Sequence, residues 1–198
     1  MKIIFATTND GKAKEVAHLI QLPYIELTSL NSIKEVYIPK VEETGQTFLD
    51  NALIKARAYF DTFKQAVIAD DSGLIVPALN NEPGVHSARY AGENATYLEN
   101  NSLLIKNITS IPDKQRQAFF KSVIVYKDQF QEKVFEGICN GRIIEKPVGT
   151  NGFGYDPLFY IDELQKTFAQ LNTEEKNKIS HRGKAINELK KFLKKLNN

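Results

Sequence analysis

Four short segments carry residue types suited to phosphate or purine chemistry. The first is Thr7, Thr8, Asn9, Asp10, Gly11 and Lys12, where an apolar run ends and a helical pattern begins. The N-terminus of a helix has unsatisfied N–H groups and the positive end of the dipole, so hydroxyls, an amide and a lysine placed there suit a phosphate chain. The spacing is not that of a Walker A loop. Taken alone, the segment equally fits an ordinary polar turn with a helix cap.

The second segment set is acidic: Glu42 and Glu43 ahead of Gly45, and Asp70 and Asp71 at the end of a short buried-type run, Ala66 to Ala69. Adjacent carboxylates leaving a buried strand repel each other and lose hydration unless a cation stands beside them. Magnesium fits that need, since it takes one or two protein carboxylates, keeps waters and completes its octahedron with phosphate oxygens. Neighbouring side chains on an extended segment point opposite ways, so one of Asp70 and Asp71 would touch a metal while the other anchors a lysine. Lys55 is the candidate partner. The alternative is a solvated Asp-Asp turn closed by Ser72 and Gly73.

The third segment is Gly149, Gly152, Phe153, Gly154, Tyr155 and Asp156, in which glycines flank an aromatic ring that could stack on a flat base. It also reads as a tight turn with Phe153 plugging the core. The fourth is Lys176 with Ser180, His181 and Arg182, donors for a base carbonyl or a phosphate, or else simply surface polarity. His18 and His86 are too scattered for a metal cluster.

Elements that would position these residues follow from periodicity. Lys2 to Ala6 reads as a strand, followed by a helix with Ala13, Val16, Ala17, Leu19 and Ile20 in register. Thr47 and Asp50 resemble a capping box at the start of a second helix, whose apolar stripe is Phe48, Ala52, Ala56, Tyr59 and Phe63. Asn51 and Lys55 are four apart, on one edge of that stripe, and a lysine there needs a reason. Pro77 to Gly92 reads as a long loop, Tyr97 to Ile108 as a helix, and Phe119 to Tyr126 with Lys133 to Ile144 as two antiparallel strands. The chain closes in a helical pattern with Ile186, Leu189, Phe192, Leu193 and Leu196 on one face. Strands alternate with helices early and pair later, which predicts an α/β fold with a mixed sheet.

Composition sets the bounds. The 198 residues carry 26 Lys and Arg against 24 Asp and Glu, a formal charge of +2, which excludes a binder driven by a large basic excess and so argues against nucleic acid as partner. Hydrophobic content of 42% and charged content of 25% are ordinary for a globular chain. Cys139 is the single cysteine, so no disulfide framework or Cys-rich zinc site is possible within the chain. The apolar run Ile3 to Ala6 is far short of a secretory core of roughly 7 to 15 residues. No stretch approaches the ~20 apolar residues of a membrane helix. The expectation is a cytoplasmic protein with no membrane partner.

In this order, the motifs resemble those of the inosine/xanthosine triphosphate pyrophosphatases, the Ham1-like noncanonical purine nucleoside triphosphate hydrolases. The resemblance rests on Thr7 to Lys12, Glu42-Glu43-Thr44-Gly45, Phe48 with Asn51-Ala52 and Lys55-Ala56, and Ala69 to Gly73. It continues through Pro83-Gly84, Ser87 to Gly92, Gly152 to Pro157 and Ser180 to Gly183, and so covers nearly the whole chain. Thr8 stands where the family often has glycine, and Thr150-Asn151 departs from the small residues common before the Gly-Phe-Gly-Tyr-Asp motif.

The resemblance implies a single ITPase-like domain over residues 1–198, with a long mixed β-sheet flanked by helices and two lobes holding a nucleotide-binding cleft between them. It implies a homodimer, and magnesium-assisted attack of water at the α phosphate of ITP, dITP or XTP. The products would be the nucleoside monophosphate and pyrophosphate, cleansing the nucleotide pool. Carried across by motif, Thr7, Thr8, Asn9, Asp10, Gly11 and Lys12 bind the triphosphate. Glu42 and Asp71 hold magnesium, and Asp71 is the proton acceptor, with Asp70 and Lys55 in the catalytic group. Ser72, Phe153, Gly154, Tyr155, Asp156, Lys176, His181 and Arg182 contact the nucleotide. A Maf-like pyrophosphatase is the rival of the same class, and a noncatalytic nucleotide- or RNA-binding module the rival of a different one.

Overall fold

A computed structural model describes residues 1–33 and 37–196. Seven strands form one sheet in the order β2-β1-β3-β4-β5-β6-β7. They are β1 (Lys2–Phe5), β2 (Glu26–Ser29), β3 (Ala66–Ile75), β4 (Gln117–Lys127), β5 (Glu132–Ile143), β6 (Phe159–Ile161) and β7 (Lys166–Thr167). The α-helices are α1 (Asp10–Ile20), α2 (Phe48–Phe63), α3 (Tyr97–Ile108), α4 (Thr173–Ile179) and α5 (His181–Leu196). β1 runs parallel to both β2 and β3, whereas β5–β6 and β6–β7 are antiparallel, so the sheet is mixed as expected. Among the described residues, no helix is long and apolar enough to cross a membrane.

Three expectations need adjusting. β2 escapes a pattern search because none of its four residues is buried; its parallel pairing with β1 defines it. β6 and β7, three and two residues long, are too short for an alternation to register. The run Ala66 to Ala69 does not stop at the aspartates. β3 continues through Asp70, Asp71, Ser72 and Gly73 to Ile75, so the acidic pair lies inside a strand.

The chain divides into two compact units, each assembled from separate segments. The first comprises Met1–Asp71, Ser122–Gly137 and Arg182–Asn198, and the second Ser72–Lys121 and Ile138–His181. Each has its own core. In the first, Ile3, Phe5 and Ile68 pack with Val16 and Ile20 of α1 and with Ala185, Ile186, Leu189 and Leu193 of α5. In the second, Leu104 and Ile108 of α3 pack with Phe120, Phe159 and Phe168.

α2 begins as its sequence signature requires. The Thr47 side chain accepts from the Asp50 N–H at 3.1 Å while the Asp50 carboxylate accepts from the Thr47 N–H at 3.1 Å. Two otherwise orphaned donors are thereby satisfied. This helix presents Asn51, Ala52, Lys55, Ala56 and Tyr59 inward. Thr47→Ala should therefore cost about 1 kcal/mol, read as a fall of roughly 2–4 °C in Tm for a chain of this size. An unchanged Tm would show that tertiary packing alone sets the helix start.

Candidate active site

The parallel register of β1 against β3 sets Phe5 beside Ile68, and the Ala6 N–H donates to the Ile68 carbonyl at 2.8 Å. Thr7 to Lys12 therefore leave β1 alongside the stretch of β3 that carries the aspartates. Asn9 caps α1, its Oδ1 accepting from the Lys12 N–H at 3.0 Å, and Thr7 Oγ1 accepts from the Asn9 N–H at 3.1 Å. Asn31 braces the same loop from outside, donating to the Thr8 carbonyl and the Asp10 carboxylate, each at 2.9 Å. Thr7 is buried, Thr8 and Asp10 are exposed, and Gly11 and Lys12 are half-buried.

Alternation along β3 sends Asp70 and Asp71 into different company. Asp70 Oδ2 pairs with Lys12 Nζ at 2.8 Å and with the Arg182 guanidinium at 3.4 Å, and Asp70 Oδ1 accepts from Ser122 Oγ at 2.7 Å. Burial alone would raise the pKa of this carboxyl. The charges of Lys12 and Arg182, with the hydrogen bonds from Lys12 and Ser122, outweigh burial and hold it well below the usual carboxylate range. The lysine anchored by the Asp70 side chain is thus Lys12, while the candidate Lys55 pairs with the side chain of Asp71. Of Asp70, Lys55 meets only the backbone, donating to its carbonyl at 2.9 Å.

Asp71 faces α2. Its Oδ1 accepts from Lys55 Nζ at 3.2 Å and its Oδ2 from Asn51 Nδ2 at 3.3 Å. Lys55 Nζ also pairs with Glu43 at 3.1 Å, which explains a lysine on an apolar helix edge. Burial, the largest effect, pushes the Asp71 pKa up to about 6, and the nearby charges of Glu43 and Asp70 add to it against the lowering by Lys55 and Lys12. Burial would lower the pKa of Lys55, but Asp71, Glu43 and Asp70 together raise it, so the ammonium stays charged.

Among the described residues, a chain of ion pairs joins Lys12, Lys55 and Arg182 to Glu15, Glu43, Asp70 and Asp71. The crowding of Glu43 and Asp71 around one lysine, which raises the proton affinity of Asp71, is what a hard divalent cation with oxygen ligands would relieve. Glu43 is the acidic-loop residue that faces Asp71 here, and Glu42 beside it is exposed. Glu15, on the first turns of α1, belongs to this cluster through its ion pair with Arg182 rather than to the helix surface. Sequence spacing could not reveal a pair 167 residues apart.

The aromatic and glycine segments lie in the second unit. Asp156 Oδ2 accepts from the Phe153 N–H at 2.9 Å and from Lys176 Nζ at 2.7 Å, closing the Gly-Phe-Gly-Tyr-Asp loop around a buried ion pair. Gly152 is required at the turn. Its φ is +75°, and a Cβ there would lie 1.9 Å from Asp156 Oδ2. Lys176 Nζ stands 4.9 Å from the Phe153 ring centroid, so Phe153 is held by a cation on one side and by the loop itself. Asn101 on α3 donates to the Gly154 carbonyl at 3.1 Å, and the buried Tyr155 hydroxyl donates to the Ser87 carbonyl at 2.8 Å. Phe153 is half-buried, which leaves ring surface outside the core. Ser72, half-buried on β3, opens this unit in sequence.

His181 and Arg182 are both buried, so neither is the surface residue that an isolated His-Arg pair would suggest. His181 stacks on Phe120 with centroids 4.7 Å apart at 11°, and on Phe168 at 6.5 Å. Arg182, the next residue, belongs to the first unit, where its guanidinium pairs with Glu15 and Asp70.

Asp70→Asn would take its carboxylate from the half-buried Lys12 and leave the buried Arg182 with Glu15 alone, and breaking a buried pair in this way costs about 3–5 kcal/mol. Equilibrium urea unfolding should show that loss. Wild-type stability in the variant would mean that Glu15 alone suffices for both cations.

Comparison with known proteins agrees with these motifs. The Ham1 family model matches residues 3–192. A dITP/XTP pyrophosphatase of Thermoanaerobacter pseudethanolicus is 48% identical over 197 residues, covering 98% of each chain. One of Listeria monocytogenes is 46% identical over 193 residues, 97% of this chain and 94% of that one. Among solved structures, the Ham1 protein of Staphylococcus aureus is 42% identical with a TM-score of 0.86 over 98% of each chain. A HAM1 protein from Coxiella burnetii is 39% identical with a TM-score of 0.89, covering 98% of this chain and 99% of that one. With the family matched nearly end to end in both sequence and fold, the chain belongs to the Ham1 family.

Proposed function

We propose that the chain hydrolyses the noncanonical purine nucleoside triphosphates dITP, XTP and ITP to the nucleoside monophosphate and pyrophosphate, acting in the cytoplasm as a homodimer. The observation that carries this reading is Asp71, a buried carboxylate with a raised proton affinity, held from α2 by Lys55 and Asn51 beside the Thr7–Lys12 loop. The relatives named as dITP/XTP pyrophosphatases support it across the full chain.

The roles follow from the chemistry of each group. Thr7 to Lys12 and the α1 N-terminus receive the triphosphate, with Lys12 oriented in advance by Asp70. Asp71 takes a proton from the water whose oxygen bonds to the α phosphorus. The bond from that phosphorus to the α–β bridging oxygen breaks, and pyrophosphate leaves with its electron pair. Lys55 balances the Asp71 and Glu43 charges while this happens. Asp71 with the Glu42–Glu43 pair would hold a divalent ion, magnesium in this reading, which supplies neutralising charge to the triphosphate.

Phe153 offers a face for the base, in the loop carrying Gly154, Tyr155 and Asp156, while Ser72, Lys176, His181 and Arg182 are the further nucleotide contacts. Donors from His181 and Arg182 match the 6-oxo group of hypoxanthine or xanthine and meet the 6-amino group of adenine donor to donor. Guanine shares the 6-oxo group, so its rejection must act at the 2-amino position.

Pyrophosphate release should be at least ~10³-fold faster for dITP, ITP and XTP than for ATP, since sites built on such hydrogen bonds reject mismatches more strongly than shape alone does. It should require magnesium. Asp71→Asn, folded by circular dichroism, should lose at least ~10³-fold in kcat, because an amide neither accepts the proton nor binds a cation as a carboxylate does. Near wild-type turnover in Asp71→Asn would overturn the assignment of the proton acceptor, and equal rates on ATP and ITP would overturn the substrate class.

A further inference from the structure

We propose that Asn51 is a positioning residue for the reaction: it fixes the rotation of the Asp71 carboxylate and ties that carboxylate to the Glu42–Gly45 loop. The inference deepens the reading of Asp71 as proton acceptor and rests on it. Asn51 is fully buried on α2, one helical turn before Lys55, and both ends of its amide are engaged. Oδ1 accepts from the Gly45 N–H at 2.7 Å, and Nδ2 donates to Asp71 Oδ2 at 3.3 Å.

The direction of the amide is dictated by its neighbours. A backbone N–H can only donate, so the Gly45 N–H selects the oxygen end of Asn51, and the planar amide must then turn its NH₂ toward Asp71. Asp71 thereby receives one donor on each oxygen, Asn51 on Oδ2 and Lys55 on Oδ1, both from the same face of the same helix. Two donors on separate oxygens fix the plane of a carboxylate, where a single donor leaves it free to rotate about Cβ–Cγ. Preorganisation of that kind is what a proton acceptor aimed at one water requires.

The other end of the amide seats the acidic loop. A Cβ on Gly45 would fall 2.5 Å from Asp50 Cβ and 2.7 Å from Asn51 Oδ1, so only glycine lets the loop backbone approach this closely. The approach sets Glu43, two residues earlier, where it pairs with Lys55. Asn51 therefore joins three parts of the unit, the loop, α2 and β3, through one side chain that touches no part of the proposed substrate-binding loop at Thr7 to Lys12. A residue that only anchored the loop would need its acceptor alone; the donor to Asp71 is the part that matters for the reaction.

Asn51→Asp separates the two roles. It keeps the volume and the acceptor for the Gly45 N–H, and it replaces the donor facing Asp71 with a carboxylate. A positioning role is expected to lower kcat for ITP by about 10²-fold, the scale of a small misplacement of a catalytic group, while KM changes less than about 3-fold because no substrate contact is removed. A kcat within about 3-fold of wild type in folded Asn51→Asp would overturn the proposal. Asp71→Asn is assayed alongside. If it stays active, the reading of Asp71 fails; if it is inactive while Asn51→Asp is not, only the role of Asn51 fails.

A stability cycle decides the case independently of activity. In the Asp71→Asn background, Asn51→Asp restores an amide–carboxylate hydrogen bond in the reverse sense. The double variant should therefore melt above Asn51→Asp alone, or fold where that single variant does not. Strict additivity of the two Tm changes, or a double variant no more foldable than the single, would show that the two side chains are not coupled and overturn the proposal.

Discussion

Consecutive carboxylates inside a buried strand are tolerable only if something separates them and something compensates each, and β3 does both through its pleat. Alternation turns Asp70 toward α1 and α5, where Lys12 and Arg182 meet it, and Asp71 toward α2, where Lys55 and Asn51 meet it. The two acids are chemically identical and one residue apart, yet their proton affinities are driven in opposite directions. Asp70 stays an anion that orients cations; at Asp71 burial, with the charges of Glu43 and Asp70, outweighs Lys55 and Lys12, and its proton affinity rises. Pairs of carboxyls split in this way by their surroundings are how a fold obtains a structural anion and a base from the same residue type.

The rest of the first unit can be understood as support for that division. α1 is capped by Asn9 so that Lys12 leaves its first turn toward Asp70. α2 is capped by the Thr47–Asp50 box so that Asn51 and Lys55 rise on its inner edge. α5 starts at His181 and gives Arg182 to Asp70 and Glu15 at once. Three helices thus deliver cations or donors to two adjacent positions of one strand. Their apolar faces, Val16 and Ile20 on α1 and Ile186 and Leu189 on α5, anchor them in the unit's core. Long-range charge pairing and local capping work together here, and the caps matter because a helix shifted by one residue would rotate its lysine by about 100° away from the strand.

Much of this was legible before any coordinates. The capping box, the shared face of Asn51 and Lys55, the Tyr97–Ile108 helix and the mixed class of the sheet all follow from spacing alone, because each depends on neighbours within four residues or on simple alternation. The partner choices were not. Spacing offers Lys55 as partner for the aspartate pair without saying which acid it meets, and it holds no sign that Lys12 meets the other or that Glu15 meets Arg182, 167 residues away. β2 stayed hidden since no residue of it is buried, and β6 and β7 since alternation needs more than two or three residues to show. Pairing over long sequence distances is set by tertiary contacts, on which periodicity carries no information.

His181 and Arg182 are adjacent in sequence and are held by different kinds of interaction. His181 closes the second unit against the rings of Phe120 and Phe168, where stacking holds the imidazole plane and burial removes competing water. Arg182 opens the last segment of the first unit, where its guanidinium is divided between two carboxylates. Lys12 and Arg182 share Asp70, so one buried carboxylate orients the first turn of α1 and the first turn of α5 at once. Loss of the Asp70 charge would therefore reach both cations together, whereas Arg182 keeps Glu15 as a second partner, so the lysine at the start of α1 depends on Asp70 more than the arginine does.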